Sequence, residues 1–442
     1  MNSADFTNIN ALGMTLIAIF GVMILFFPRK YAIIPILVGT CYVSLGQVVN
    51  IFELHFTSMR LLVLVGWVRI IMRSEIELPF LKNKIDKALT VFVVVSFVIY
   101  CVLWNNQKGF IYRLGVTYDI IGLYFLCRVL VRDIEEIISI VKIMSIAVIP
   151  ITLFMIFEKF TGKNLFHFFG AVPEYTMIRE GRLRCQGPFT HPILAGTFGV
   201  TLMPMFVGLW FKDRKDRIYS AIGIISTASI TFLCASSGPL FALISIIIGY
   251  IIWRYRNNMR IVRWGILITI GLLHIIMKSP VWHLIGRISN LSGGTGWHRV
   301  DLMDSAVKYF NEWWIIGTKR TAHWMPYVLP IDPENVDITN QYILVGIQGG
   351  IISVMLFLSI IVKCFRAVGL TVKCYENETP GLAKFVWSLG VSLLAYVVSF
   401  ISVAMFDFIS VYYYMLVAFI AASTISAIEN NISERNIIRN VE

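Results

Sequence analysis

Long apolar runs recur along this chain and limit the folds open to it. Each run of about 17 to 23 residues is enough to cross roughly 30 Å of hydrocarbon as a helix. Read between polar breaks, they fall near residues 11–27, 33–49, 56–72, 88–104, 115–131, 137–157, 191–211, 218–234, 239–253, 261–277, 340–362, 383–404 and 409–427. Only 14% of the 442 residues are charged and 57% are hydrophobic, with a mean hydropathy of +0.75. A soluble domain carries about 25% charged residues, so the expected class is an all-α integral membrane bundle of about a dozen spans. The first run, Leu12 to Phe27, has no Lys or Arg before it and no small-residue cleavage pattern after it, and is read as a retained span.

Positive charge orders these spans. Cytoplasmic loops retain Lys and Arg during insertion, and the basic groups alternate accordingly. Arg29 and Lys30 fall on one side with Arg73, Lys82, Lys84, Lys87, Arg128 and Arg132. So do Lys212, Arg214, Lys215 and Arg217, then Arg254, Arg256, Arg260 and Arg263, then Lys363, Arg366, Lys373 and Lys384. An N-terminus outside and a cytoplasmic C-terminal tail, with Arg435 and Arg439, follow as expectations. The net charge of +12 is therefore topological, and no nucleic-acid partner is expected.

Four segments result: spans plus a first outer loop over 1–190, central spans over 191–277, a large outer loop over 278–339, and spans plus tail over 340–442. There is no internal repeat of the kind that builds secondary transporters and no P-loop. Seven scattered cysteines give neither a disulfide framework nor a metal-ligand spacing: Cys41, Cys101, Cys127 and Cys234 sit in apolar runs, Cys364 and Cys374 in a basic loop, and Cys185 in the first outer loop. The closest approach to an acidic metal motif is Asp332-Pro333-Glu334, so no metal or other cofactor is expected.

Chemistry is expected in the two outer loops. The first carries Arg179, Arg182 and Arg184, then Gly187, Phe189, His191 and Pro192. Arginines on the outer side bind lipid headgroups, pair with Glu174 and Glu180, or clamp phosphate, which planar guanidinium groups hold bidentately. The second opens with Gly293, Gly294, Thr295, Gly296, Trp297, His298 and Arg299 and continues into an amphipathic helix with Val300, Met303, Val307 and Phe310 on one face, expected to cap the bundle or lie along the membrane. Arg299 in its first turn opposes the macrodipole, so either an anion or a local pair with Asp301 or Asp304 holds it. Arg320, His323 and Trp324 follow; aromatic rings here serve the lipid interface or stack on sugars, and an imidazole can take a hydroxyl proton near pH 7. In the spans, Arg60 and Asp119 are expected to pair near the outer ends, and Arg69 and Arg128 to snorkel to the inner surface.

The order of three motifs resembles a known family. An outer segment with Arg184, Gly187, Phe189 and Pro192 leads into a span; Gly296 and Arg299 open an amphipathic helix with Leu302, Met303 and Ala306; and Thr339, Asn340, Tyr342, Gly346, Gly349 and Gly350 lead into the next span. Over about residues 180 to 365 this resembles the O-antigen ligase and O-antigen polymerase superfamily of bacterial envelope glycosyltransferases; the first six spans are similar only in character. The resemblance implies a membrane C-type glycosyltransferase fold in the bacterial plasma membrane, acting without metal on an undecaprenyl pyrophosphate-linked oligosaccharide and an acceptor glycan. Membrane lipid and a chain-length regulator or other envelope assembly proteins are the further partners it implies. Arg184 and Arg299 would hold the pyrophosphate, with Arg179, Arg182, His191, Arg320, Trp324, Asn340 and Tyr342 binding substrate. The family places His directly before the Asn, where this chain has Thr339, so His323 is the expected base and His191 the second choice. Polymerase ranks ahead of ligase because polymerases are more numerous. A flippase for lipid-linked glycans would need a charged path that the uninterrupted Ile, Leu, Val and Phe of most spans do not supply; a non-catalytic assembly subunit would account for the missing histidine.

Overall fold

The computed structural model describes residues 7–43, 46–51, 54–76, 81, 83–291, 296–328, 334–406 and 408–441. Lys82, Gly293, Gly294, Thr295, Asp332 and Pro333, which entered the sequence reading, lie outside the described residues. Helices α1 (Ala11–Phe26), α2 (Ile34–Tyr42) and α3 (Ser58–Met72) are tied by a small sheet, in which β1 (Thr7–Asn8) runs parallel to β2 (Gln47–Ile51) and β2 antiparallel to β3 (Leu54–Thr57). Then come α4 (Lys84–Trp104) and α5 (Gln107–Thr117), which passes through a π-helical turn at Tyr118–Gly122 into α6 (Leu123–Leu130), followed by α7 (Ile134–Thr161). A hairpin of β4 (Met177–Arg179) and β5 (Arg182–Arg184) precedes α8 (Pro192–Lys212), α9 (Arg217–Leu233), α10 (Ser237–Ile252) and α11 (Met259–Ile276). The large loop folds into α12 (His283–Leu291), α13 (Gly296–Lys308) and the single turn α14 (Phe310–Trp313); α15 (Gln341–Tyr375), α16 (Pro380–Ser399) and α17 (Phe408–Val441) complete the chain.

Among the described residues, 8 helical stretches are long and apolar enough to cross a membrane. The chain is thus a helical multi-pass protein with two small sheets. The expected span 33–49 is the main departure. Its helix stops at Tyr42, and Val48 and Val49 enter β2, where β-branched side chains fit the pleat. Cys364 and Cys374 also lie on a helix, because α15 continues to Tyr375. No residue of α11 is buried, so this helix stands apart from the bundle.

The basic loops share one face, and ion pairs stitch them together. Arg29 pairs with Glu136 at 2.5 Å, Lys142 with Asp216 at 2.5 Å, Lys212 with Glu135 at 2.7 Å, and Arg256 with Glu376. Two expectations are corrected here. Arg69 does not snorkel: its fully buried guanidinium donates to Glu75 and to the carbonyls of Ile24 and Phe27, which replace water completely. Arg128 is turned toward Asp86 at 3.4 Å, a carboxylate that also accepts from the Tyr124 hydroxyl.

The opposite face, here the loop face, is built around a break in α15. Gly349 and Gly350 leave helical geometry, and Gly350 has φ +67°. Backbone groups freed inside hydrocarbon need replacement partners. The large loop supplies them: Ile351 N–H donates to Trp314 O at 2.8 Å, and Thr318 N–H donates to Ile347 O at 2.9 Å. A Cβ on Gly350 would lie 2.1 Å from Ile315 O, which accounts for glycine at this step of the motif. Gly350→Ala is therefore expected to cost about 1–3 kcal/mol of strain and to free the 314–318 segment. Limited proteolysis and thermal unfolding in detergent would show it as faster cleavage there and a lower Tm.

Candidate functional site

The first arginine cluster sits on a hairpin. Glu180 and Gly181, both at positive φ, form its two-residue turn. Its register pairs Met177 with Arg184 and Arg179 with Arg182, so strand alternation puts all three arginines on one side and Ile178 and Leu183 on the other. Arg182, at the exposed tip, points to water, while Arg184 at the base is only 5% exposed.

Glu158, at the loop-face end of α7, fixes the segment that follows. Its carboxylate is fully buried, yet among the described residues no cation holds it: it accepts from Gln186 N–H at 3.1 Å, Gly187 N–H at 2.9 Å and the Thr176 hydroxyl at 3.2 Å. Asn164 adds a bond to Gly187 O at 2.8 Å, and Lys159 one to Leu183 O at 3.1 Å. The backbone on either side of Arg184 is thereby set. Close packing of α8 then brings helix ends to it. A Cβ at Gly196 would lie 2.3 Å from Cys234 Sγ and 2.6 Å from Pro239 Cγ, so glycine lets the start of α8 meet the end of α9 and the start of α10.

Arg299 reaches the same place from the large loop. It is 6% exposed and donates to the Ser237 hydroxyl, the first residue of α10, at 3.2 Å. The buried face of α13 is Arg299, Leu302, Ser305 and Ala306, not the expected stripe of Val300, Met303, Val307 and Phe310. Val307 and Phe310 are exposed, and Val300 packs on Gly286 of α12. The helix is rotated because Leu302 and Ala306 dock in a cluster with Trp313, Trp324, Val336 and Ile338, which carries Arg299 inward.

Arg184 and Arg299, from two separate segments, lie close enough to act on each other electrostatically. Burial pulls Arg299 down to about 10, with the charges of Arg179 and Arg184 acting in the same direction. Burial likewise lowers Arg184, helped by Arg179. Of the nearby acids, Asp301 accepts from the Tyr327 hydroxyl, Asp304 from Trp282 Nε1 and His283, and Glu174 pairs with Lys163, while the charge of Glu180 acts on Arg184. Arg184 Nε is buried without a partner among the described residues. The starts of α8, α10 and α13 meet at this cluster, and helix N-termini favour anions.

His191 caps α8, its Nδ1 accepting from Ile193 N–H at 3.2 Å. Burial, then Arg184 and Arg179, push it down to about 4. At neutral pH it is uncharged with its proton on Nε2, a hydrogen-bond donor rather than a base. Two neighbours escaped the sequence reading. His298, beside Arg299, is lowered by burial against the raising effect of Asp337, and Asp337 is raised by burial against His298. Each thus feels the other's charge at the edge of the arginine cluster, and Asp337 stands two residues ahead of Thr339.

The remaining expected residues are bound up with the loop's own structure. His323 Nε2 contacts Glu312 at 2.9 Å and its ring stands edge-on to Tyr309. Trp324 is buried, stacked on Tyr309. Arg320 is exposed and pairs with Glu334 at 3.3 Å. Asn340 caps α15 and donates to Ile401 O at 3.1 Å, while the Tyr342 hydroxyl donates to Val397 O at 2.9 Å. Thr339 Oγ1 is buried without a partner among the described residues. Arg60 and Asp119 pair as expected, in two bonds of 2.8 and 2.7 Å.

The depressed His191 value gives a signed prediction. Between the ordinary histidine value near 6.5 and about 4, the unfolded chain binds a proton that the folded site rejects. Stability contributed here is present above pH 6.5 and is lost as pH falls toward 4. His191→Asn removes that dependence, and thermal unfolding of both forms from pH 7 to pH 4 would show wild type losing more Tm than the variant.

Comparison with protein-family models finds no match for this chain, and comparison with curated proteins finds none either.

Proposed function

We propose that the chain is a metal-independent membrane glycosyltransferase of the C type. It takes a glycan from an undecaprenyl pyrophosphate carrier on the outer face of the bacterial plasma membrane and joins it to an acceptor glycan, as a polysaccharide polymerase ahead of a ligase. In that reading the loop face is extracytoplasmic, as is the N-terminus. The observation that carries the reading is the gathering of Arg179, Arg184 and Arg299 beside the starts of three helices, with Asp301, Asp304 and Glu174 bound to other groups.

The chemistry follows from those charges. The bond from donor C1 to the phosphate oxygen breaks, its electron pair leaves on the pyrophosphate, and a bond from C1 to an acceptor oxygen forms. Arg184 and Arg299 hold the departing pyrophosphate and stabilise its developing charge; His191 Nε2–H donates a further hydrogen bond. The acceptor's proton needs a base. Asp337 with His298 is the proposed one, since burial raises the carboxylate's basicity and keeps the imidazole neutral beside Arg299.

The test uses purified protein in lipid nanodiscs with lipid-linked repeat units. Arg184→Ala and Arg299→Ala are each expected to cut transfer about 100-fold or more while the protein inserts normally; wild-type rates in both would sink the clamp. His298→Ala and Asp337→Asn are expected to lower turnover with donor binding retained. His323→Ala, the alternative base, is expected to leave turnover near wild type; the reverse pattern moves the base to His323. A ladder of product lengths marks a polymerase and a single transfer a ligase.

A further inference from the structure

Among the described residues, two arginines carry a buried side-chain nitrogen without a partner: Arg184, discussed above, and Arg113. Arg113 lies in α5, about 9 Å along the helix from its start at Gln107 by helical rise. It is 6% exposed. Four other buried or half-buried arginines of the bundle face an acid: Arg29 has Glu136, Arg60 has Asp119, Arg69 has Glu75 and Arg128 has Asp86. Arg113 has none among the described residues. Its one hydrogen bond is from Nη1 to Gln348 Oε1 at 3.4 Å, and its guanidinium lies over the Tyr100 ring at 5.3 Å.

An intramembrane cation without a counter-charge marks a place for a ligand or a path. A second cation stands on the same side. Lys319 of the large loop is held over the Trp104 ring at 6.0 Å, and Trp104 and Tyr100 rings are 5.9 Å apart, so Lys319, Trp104, Tyr100 and Arg113 form a chain of contacts. Gln348 immediately precedes the break in α15. None of these residues is a neighbour of Arg184 or Arg299 in the site above.

We propose that Arg113, with Gln348, forms a second anion site that takes one phosphoryl group of a lipid, from either a bilayer phospholipid or a second polyprenyl-borne molecule. Arg113 Nε is buried without a partner among the described residues, a guanidinium fork is suited to two phosphate oxygens, and the Tyr100 ring lies against the guanidinium with Trp104 behind it. The proposal does not depend on glycosyl transfer at the first site.

Native mass spectrometry of the detergent-purified full chain, with undecaprenyl phosphate and separately with phosphatidylglycerol, tests it. With undecaprenyl phosphate, wild type is expected to hold two lipids, Arg113→Met one, Arg184→Met one and the double variant none. Retention of two lipids by Arg113→Met overturns the proposal, whereas retention of two by Arg184→Met overturns only the first site. Loss of a phosphatidylglycerol with Arg113→Met assigns the site to bilayer lipid; loss of undecaprenyl phosphate alone assigns it to a carrier. Thermal unfolding guards against a variant that fails to fold. Without lipid, Arg113→Met is expected to melt at or above wild type, because an uncompensated buried charge has been removed, and added lipid is expected to raise its Tm less than wild type's. A lower Tm for the variant together with an unchanged lipid-induced rise means the bundle itself holds Arg113, and the proposal falls.

Discussion

Inside hydrocarbon, a backbone amide or carbonyl without a partner is expensive, and α15 breaks at Gly349 and Gly350. The two hydrogen bonds from the 314–318 segment repair that break and in doing so fasten the large loop to the bundle. Trp313, at the start of the segment, packs against Gly346 and donates from Nε1 to Ala306 O at 2.9 Å, which ties α13 to the same anchor. The inward turn of Arg299 rests on this anchor, because Leu302 and Ala306 lie one and two turns further along the same helix face.

The opposite half of the cluster has a different support. Glu158 is as buried as any carboxylate here, but its oxygens accept from backbone N–H groups rather than from arginine. Loop rigidity is obtained without neutralising the cations beside it. The same division holds for Asp301 and Asp304, which bind Tyr327, Trp282 and His283 and so stabilise the large loop. Acids maintain the framework and arginines are left for the site.

Much of this was legible in the chain. Apolar run length identified the helical, multi-pass character, although 8 stretches among the described residues are long and apolar enough to cross a membrane where about a dozen were expected; basic clusters pointed to a common face, and Arg184 and Arg299 stood out as cations in the loops expected outside. Other features needed coordinates. The β4–β5 hairpin was hidden because three residues per strand are too few for alternation to register, although Glu180-Gly181 between Arg179 and Arg182 was a usable turn signal. The end of α2 was missed because hydropathy treats Val in a strand and Val in a span alike. The rotation of α13 follows from tertiary docking, which overrides its apolar stripe. His298 and Asp337 are neighbours only because Val336 and Ile338 dock on that helix, a contact between distant segments.

Crowded guanidinium groups repel one another, so the vacant site is its least comfortable condition. Any docked polyanion relieves that repulsion, and one that has already given up its sugar, carrying the electron pair of the broken bond, relieves it most. Under the proposed reaction the spent carrier would therefore cling after transfer, and clearing it, rather than making the new glycosidic bond, becomes the natural throttle on turnover.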